Sequence, residues 1–288
     1  MTPQKQEYRI LNLASLKQRV ACLTLDVEQD FGDLLDEPAY EGLDYIPNLV
    51  EWLEDKDIPL TCFVQGSILE THAAQIEPLF RLDAEFELHS YSHPGPREIN
   101  SHAEIERGRQ AYREFFRKDP IGYRTPLGAI NGKDYQVLAS NGFKFDSSVF
   151  PSLRPDVFSN MRKPTKPYFL NEAQIVEFPI TVFSNIIRIP VALSYIKLFG
   201  KPYLDLLRLV HCPNLIIFDF HLHDLFRLSS SSKIRSKRLP FIYRKIYRRI
   251  YQEEKTSGMR ILDEFIAALQ KKAYSFLKLV DLYDAIGK

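Results

Sequence analysis

Apolar runs of strand length recur along this chain, and at the C-terminal end of one after another stands a side chain that can ionise or hold a metal. Val20-Ala-Cys-Leu-Thr-Leu25 runs into Asp26-Val-Glu28-Gln-Asp30, Phe86-Glu-Leu into His89, and Leu215-Ile-Ile-Phe-Asp-Phe220 into His221-Leu-His223-Asp224; Ile121-Gly-Tyr, too short to read as a strand, leads into Arg124 and breaks at Pro126. Helical patterns lie between them. Leu43, Ile46, Leu49, Val50 and Leu53 share one helical face, and Ser67 is placed to cap a helix running to about Phe80. Ser101-His-Ala-Glu104 has the form of a capping box, opening a helix with Ile105, Tyr112, Phe115 and Phe116 on its apolar side. Residues 133–140 are helical and stop at Asn141-Gly142. Strand then helix, with no internal repeat, argues an α/β protein with a parallel sheet, most simply a barrel. The C-terminal strand ends are the face on which such barrels build active sites.

His89 and His93 are four residues apart and followed by Pro94-Gly-Pro96. In a straight strand their side chains would stand about 13 Å apart, so the backbone must curl after His89 if both are to reach one ion. Pro94 keeps His93 out of the helical region, and the pair is therefore a strand end opening into a loop, unlike the helical H-E-x-x-H arrangement. Asp26 and Glu28 are two apart and point the same way on a continuing strand. Two neutral imidazoles and a carboxylate form an N,N,O set that suits zinc or a related divalent metal and leaves a position for water. The second carboxylate could act on that water as a base, and a histidine at the end of the last strand could supply the leaving group's proton.

Other stretches set bounds. The formal net charge of +1 gives no global field for nucleic acid. Cys22, Cys62 and Cys212 are too far apart for a zinc-ligand spacing or a disulfide framework, which fits a reducing compartment. Residues 1–19 mix charged and apolar positions without the apolar core of a signal peptide, and are expected to be an N-terminal extension to a single domain over 20–288. Residues 151–167, rich in Pro, Ser and Arg, form a long loop placed to lie over a site. Residues 190–210 are helical with a break near Gly200-Lys-Pro202, residues 240–272 are largely helical, 276–280 form a short strand and 282–286 a final turn. Residues 227–249 carry nine basic residues and no acidic one; Tyr243, Ile246, Tyr247, Ile250 and Tyr251 form one stripe, with Arg244, Lys245, Arg248 and Arg249 opposite. That is a helix with a solvated basic face, or a surface for anionic lipid or a diphosphate-linked sugar.

In order, Thr24-Leu-Asp26-Val-Glu28, His89-x-x-x-His93, Arg124-Thr-Pro126, Phe145-Asp-Ser-Ser and His221-Leu-His-Asp224 resemble the motifs of the polysaccharide deacetylases, the NodB-homology family of metal-dependent carbohydrate esterases. The resemblance runs from about Cys22 to Asp284. It implies a distorted (β/α) barrel, TIM-barrel-like, of about seven or eight strands. It also implies hydrolysis of the N-acetyl group of an amino sugar. By the same resemblance Asp26 is the base, Glu28, His89 and His93 are the metal ligands, Arg124 holds the base, and Leu127 offers a backbone N–H to the oxyanion. The chain departs from the family in spacing its first-motif acids by Val27, which leaves Asp30 as a competing ligand, and in having Leu127 where an aromatic is usual. Its last motif offers both His221 and His223 as the acid, with Asp146 a candidate to polarise it.

The expectation is a cytoplasmic bacterial N-deacetylase, soluble or peripheral at the inner face of the membrane through residues 227–249. Its cofactor would be one divalent metal, zinc or else cobalt or nickel. Its substrate would be a surface polysaccharide such as lipopolysaccharide or capsule, or a nucleotide-linked or lipid-linked precursor. A non-catalytic glycan-binding barrel and a hydrolase of another sugar amide, such as a formamido sugar, are the alternatives.

Overall fold

The computed structural model describes residues 8–95, 98–154, 158–209, 213–234, 241–252 and 257–286. Seven strands form its frame: β1 (Arg19–Val27), β2 (Leu60–Val64), β3 (Ala84–Leu88), β4 (Gly122–Tyr123), β5 (Phe145–Asp146), β6 (Ile175–Glu177) and β7 (Leu215–His221). They run parallel in the spatial order β6-β5-β4-β3-β2-β1-β7. No continuous ladder closes β6 on β7 among the described residues; the Thr181 N–H bonds Ile217 O at 3.1 Å, and Ala192 bridges Asp219. The result is the expected α/β fold, a distorted barrel with one seam stitched by irregular chain.

The period-2 alternation of β1 sorts its side chains between two cores. Val20 and Cys22 point inward to Phe63, Phe145, Val176, Phe178 and Ile217, while Ala21, Leu23, Leu25 and Val27 pack outward under the helices. The helix Leu279–Ile286 plugs the barrel floor with Leu279, Leu282 and Ile286. Asp26 continues the inward series of Val20 and Cys22, which is why a charged residue follows a buried strand into the barrel mouth. Cys22 and Cys62 are buried thiols, their pKa values pushed up by burial; Cys212 lies outside the described residues.

Several local expectations are corrected. Residues 8–10 of the N-terminal segment pair antiparallel with Tyr168–Leu170 and so extend the sheet. The helix expected to be capped by Ser67 and run to about Phe80 starts earlier, at Gly66 with Gln65 at its N-cap and Ser67 inside it, and breaks at His72 into Ala73–Ile76 and a 3₁₀ turn, Glu77–Arg81, with Pro78 in its first turn. The last strand is Tyr274–Phe276, because Leu279 and Val280 begin a helix whose first N–H groups bond Thr61 Oγ1 and Glu85 Oε2. No helix among the described residues is long and apolar enough to cross a membrane.

Candidate functional site

At the mouth of the barrel Glu28 Oε2 lies 2.9 Å from His89 Nε2 and 3.0 Å from His93 Nε2, with all three side chains buried. The curl this requires is in the backbone: Ser90 and His93 both take left-handed φ, at 53° and 54°. Such values are strained for non-glycine residues, so the surroundings must hold them. Glu104 does this by accepting from Ser90 Oγ, the Tyr91 and Ser92 N–H groups and Ser92 Oγ. Ser101 caps its helix as expected, accepting from the Glu104 N–H, but the Glu104 carboxylate bonds the 90–92 loop. Gly32, with φ +59°, lies against the His93 ring; a Cβ there would sit 3.1 Å from His93 Cε1.

Beside this trio Arg124 is buried to 1% exposure and joins two carboxylates, Asp26 Oδ1 at 2.7 Å and Asp219 Oδ1 at 2.8 Å. Its Nε and Nη2 donate to Ser147 O and Oγ, and its guanidinium stacks on Phe63. Burial, and then the charge of Asp26, push the Asp219 carboxyl up to about 7, against the pull of His221 and Arg124. Asp26 Oδ2, the oxygen Arg124 does not use, faces His221 Nε2 at 3.6 Å.

The two histidines of the last motif are held differently. His221 Nδ1 bonds Asp224 Oδ2 at 2.9 Å; burial opposes its charge, but Asp219, Asp224 and Glu28 together hold the imidazolium well above its usual range. Burial, then the charge of His221, push His223 down to about 4, and its Nδ1 accepts the Phe31 N–H at 3.3 Å. A neutral His223 therefore carries its proton on Nε2.

Three sets of side chains converge closely enough to hold an ion: Glu28–His89–His93, Glu28–His221–His223 and Asp26–Asp219–His221. In the third, Arg124 already supplies the cation, and in the second His221 is engaged through Nδ1 by Asp224 and stands 3.8 Å from Glu28. In the first, both imidazoles bring Nε2 to one Glu28 oxygen, at 2.9 and 3.0 Å; burial opposes a charge on His93, yet Glu28 raises its pKa, as it would hold a bound cation. Burial disfavours the charge on Glu28, yet His93 and His89 hold its carboxyl well below the usual range. Buried imidazole nitrogens and a charged carboxylate oxygen drawn together in this way fit a divalent metal.

Two expectations change here. Asp30 belongs to none of these sets: its carboxylate accepts the Gly42 N–H at 3.0 Å and lies 3.5 Å from Ser230 Oγ. Asp146 does not pair with the last-motif histidines; it accepts from the Ser148 N–H and hydroxyl. Ser148 Oγ in turn accepts the Thr125 N–H at 2.7 Å, so Asp146 supports the Arg124–Thr125 loop. Asp219 and Asp224, to which the sequence reading assigned no role, are the partners of Arg124 and His221. An aspartate inside the apolar run 215–220 was the available signal for Asp219.

These groups open into a cavity of about 290 Å³. Its floor is Asp26, Glu28, His89, His93, Arg124 and His221, and Leu127, with a left-handed φ of 61°, borders it. Its upper walls come from Phe150, Leu153, Arg154 and Phe158, from Tyr195 and Leu198, and from the helical residues 241–252. The stripe Tyr243, Ile246, Tyr247, Ile250 and Tyr251 lines this cavity, and Arg244, Lys245, Arg248 and Arg249 are exposed on the other side. Residues 235–240 of the basic segment lie outside the described residues.

The sequence profile of the polysaccharide deacetylase family matches residues 15–145. A peptidoglycan deacetylase of Helicobacter pylori is 25% identical over 124 residues, which are 42% of this chain and 42% of that protein. A crystal structure from Mycobacterium smegmatis assigned to the polysaccharide deacetylases superposes with a TM-score of 0.63 at 18% identity, covering 98% of this chain and 95% of that one. The allantoinase PuuE superposes at 0.58 with 14% identity, covering 95% and 91%. These two structures share the fold.

Proposed function

We propose that this chain, a member of the polysaccharide deacetylase family through residues 15–145, is a hydrolase that removes the N-acetyl group of an amino sugar. The observation that carries the reading is the meeting, in one cavity, of a Glu28–His89–His93 set, an Arg124-held carboxylate and an Asp224-held imidazolium. A divalent metal bound by Glu28, His89 and His93, zinc in first place and cobalt or nickel as substitutes, would polarise the acyl carbonyl and acidify water.

The chain's own groups divide the remaining work. Arg124 fixes Asp26 through Oδ1 and leaves Oδ2 facing the cavity, where it takes the proton of the attacking water. The Leu127 N–H donates to the carbonyl oxygen as negative charge grows on it. As the new C–O bond replaces the C–N bond, His221 gives its Nε2 proton to the departing amine, and acetate and a free amino sugar leave. Asp224 holds the His221 ring for that transfer, while His223, neutral with a proton on Nε2, donates a hydrogen bond to the sugar.

The substrates we favour are amino sugars of a surface polysaccharide or its nucleotide-linked or lipid-linked precursors, handled by a single domain whose sheet residues 8–10 also join. The test is incubation with N-acetylglucosamine, its oligomers and its nucleotide-linked form, reading acetate and free amine together. Equimolar release from any of them supports the reading. Intact sugars across the panel, from protein shown to hold one divalent ion, would overturn it.

A further inference from the structure

Arg154 lines the same cavity from the short hairpin of Leu153–Arg154 and Phe158–Ser159. Its Nη2 donates to Tyr247 Oη at 2.9 Å, and Tyr195 and Tyr251 line the same cavity. Among the described residues it makes no ion pair with a carboxylate. Three other arginines do meet carboxylates: Arg124 meets Asp26 and Asp219, Arg208 meets Asp205 and Glu264, and Arg113 meets Asp119, whereas the part-buried Arg188 is held by backbone carbonyls. A guanidinium does not lose its proton, and it carries several N–H donors in a planar fork suited to phosphate or carboxylate. No carboxylate lining the cavity, Asp33 included, forms an ion pair with it, so its charge is met by the Tyr247 hydroxyl until an anion arrives.

Its position ties it to the reacting groups. Tyr247 stacks on Tyr251 with ring centroids 6.0 Å apart, Tyr251 packs edge-on against His223 at 5.5 Å, and His223 stacks on His221 at 4.8 Å. A run of rings therefore leads from the guanidinium to the imidazolium, along a wall that also includes Phe150, Phe158, Leu198 and Ile246. Apolar rings beside the guanidinium lower the local dielectric, which strengthens an ionic hydrogen bond made there.

We propose that Arg154 is the specificity residue of this site and that the substrate is an N-acetyl amino sugar bearing an anionic group, a phosphate or a carboxylate, which the guanidinium binds. The inference rests on reading the cavity as an amino-sugar site, and it deepens that reading by naming a charge on the substrate.

The test is calorimetric titration of wild type, Arg154→Gln, Arg154→Lys and Tyr247→Phe with N-acetylglucosamine, N-acetylglucosamine 1-phosphate and N-acetylmuramic acid. Wild type should bind one of the two anions about 30-fold more tightly than the neutral sugar, and the preferred one identifies phosphate or carboxylate. Arg154→Gln should compress that ratio to within about 3-fold, Arg154→Lys should retain part of it, and Tyr247→Phe should keep it. No preference in wild type, or an equal loss for all three ligands in Arg154→Gln, would overturn the assignment. Anion preference in a protein that hydrolyses no sugar would count against the deacetylase reading alone; hydrolysis without preference would count against this one alone.

Discussion

On the floor of the cavity, Asp26, Glu28, His89, Arg124 and His221 stand at or just beyond the ends of parallel strands, whose backbones are fixed by ladder hydrogen bonds. Above them, Phe150, Arg154, Phe158, Tyr195 and the 243–251 stripe come from the chain after β5, a pair of two-residue strands and short helices. The floor is a web of charged contacts between buried groups, and the wall is mostly aromatic and aliphatic, with Arg154, Asp33 and Ser194 among its polar members. Reaction chemistry needs atoms held to fractions of an ångström, which strand ends provide. Substrate choice tolerates, and evolves through, loops laid over that frame.

If this division is right, floor substitutions should lower kcat and wall substitutions should raise KM. The largest effect should come from Asp26→Asn, with kcat for acetate release down about 10³-fold and KM changed little. Steady-state kinetics check this, and an unchanged kcat would remove Asp26 from the mechanism. Arg124→Met should cost about 3–5 kcal/mol of unfolding free energy in urea melts, because the buried Asp26 and Asp219 carboxylates would lose the guanidinium that joins them. His221→Ala should lower kcat about 10²-fold, whereas His223→Ala should cost about 10-fold and act mostly on KM; the reverse order would exchange their roles. Ile246→Ala, on the wall, should raise KM about 5-fold and leave kcat within about 2-fold.

The smallest effect concerns a carboxyl below the site. Burial, then the charge of Asp146, hold Glu177 well above its ordinary 4.5, while Tyr135 Oη and the Val149 N–H bond it. The folded protein thus keeps a proton that the unfolded chain gives up near that value. This group's stabilisation is full below pH 4.5 and is lost as pH rises toward the folded pKa. Glu177→Gln should flatten the fall in Tm between pH 5 and 8 by about 2–4 °C, measured by thermal denaturation. An unaltered slope would mean that Glu177 is ionised in the fold.

The same contrast explains what could be read beforehand. Asp26, Glu28, His89 and Arg124 were legible because each ends an apolar run, a local signal that also fixes which way the side chain faces. His93 was legible through the need for a curl, which the left-handed Ser90 and His93 supply. Asp219 stands out only as a charge inside an apolar run, and its partner Arg124, 95 residues away, has no local mark that joins the two. Glu104 read as a capping-box acid, but the strained 90–92 loop offered its carboxylate more donors than the helix end. The 243–251 stripe was recognised as amphipathic, but periodicity says only that a face is covered. The covering partner here is the cavity, with the basic side exposed.

The most direct measurement of the central claim is the metal content of purified wild type and His89→Ala, by elemental analysis after dialysis against metal-free buffer, with acetate release read on the same samples. The account predicts about one divalent ion per wild-type chain, with the ion and the activity lost together in the variant. Acetate release from wild type that holds no ion, or an ion retained in full by His89→Ala, would contradict it.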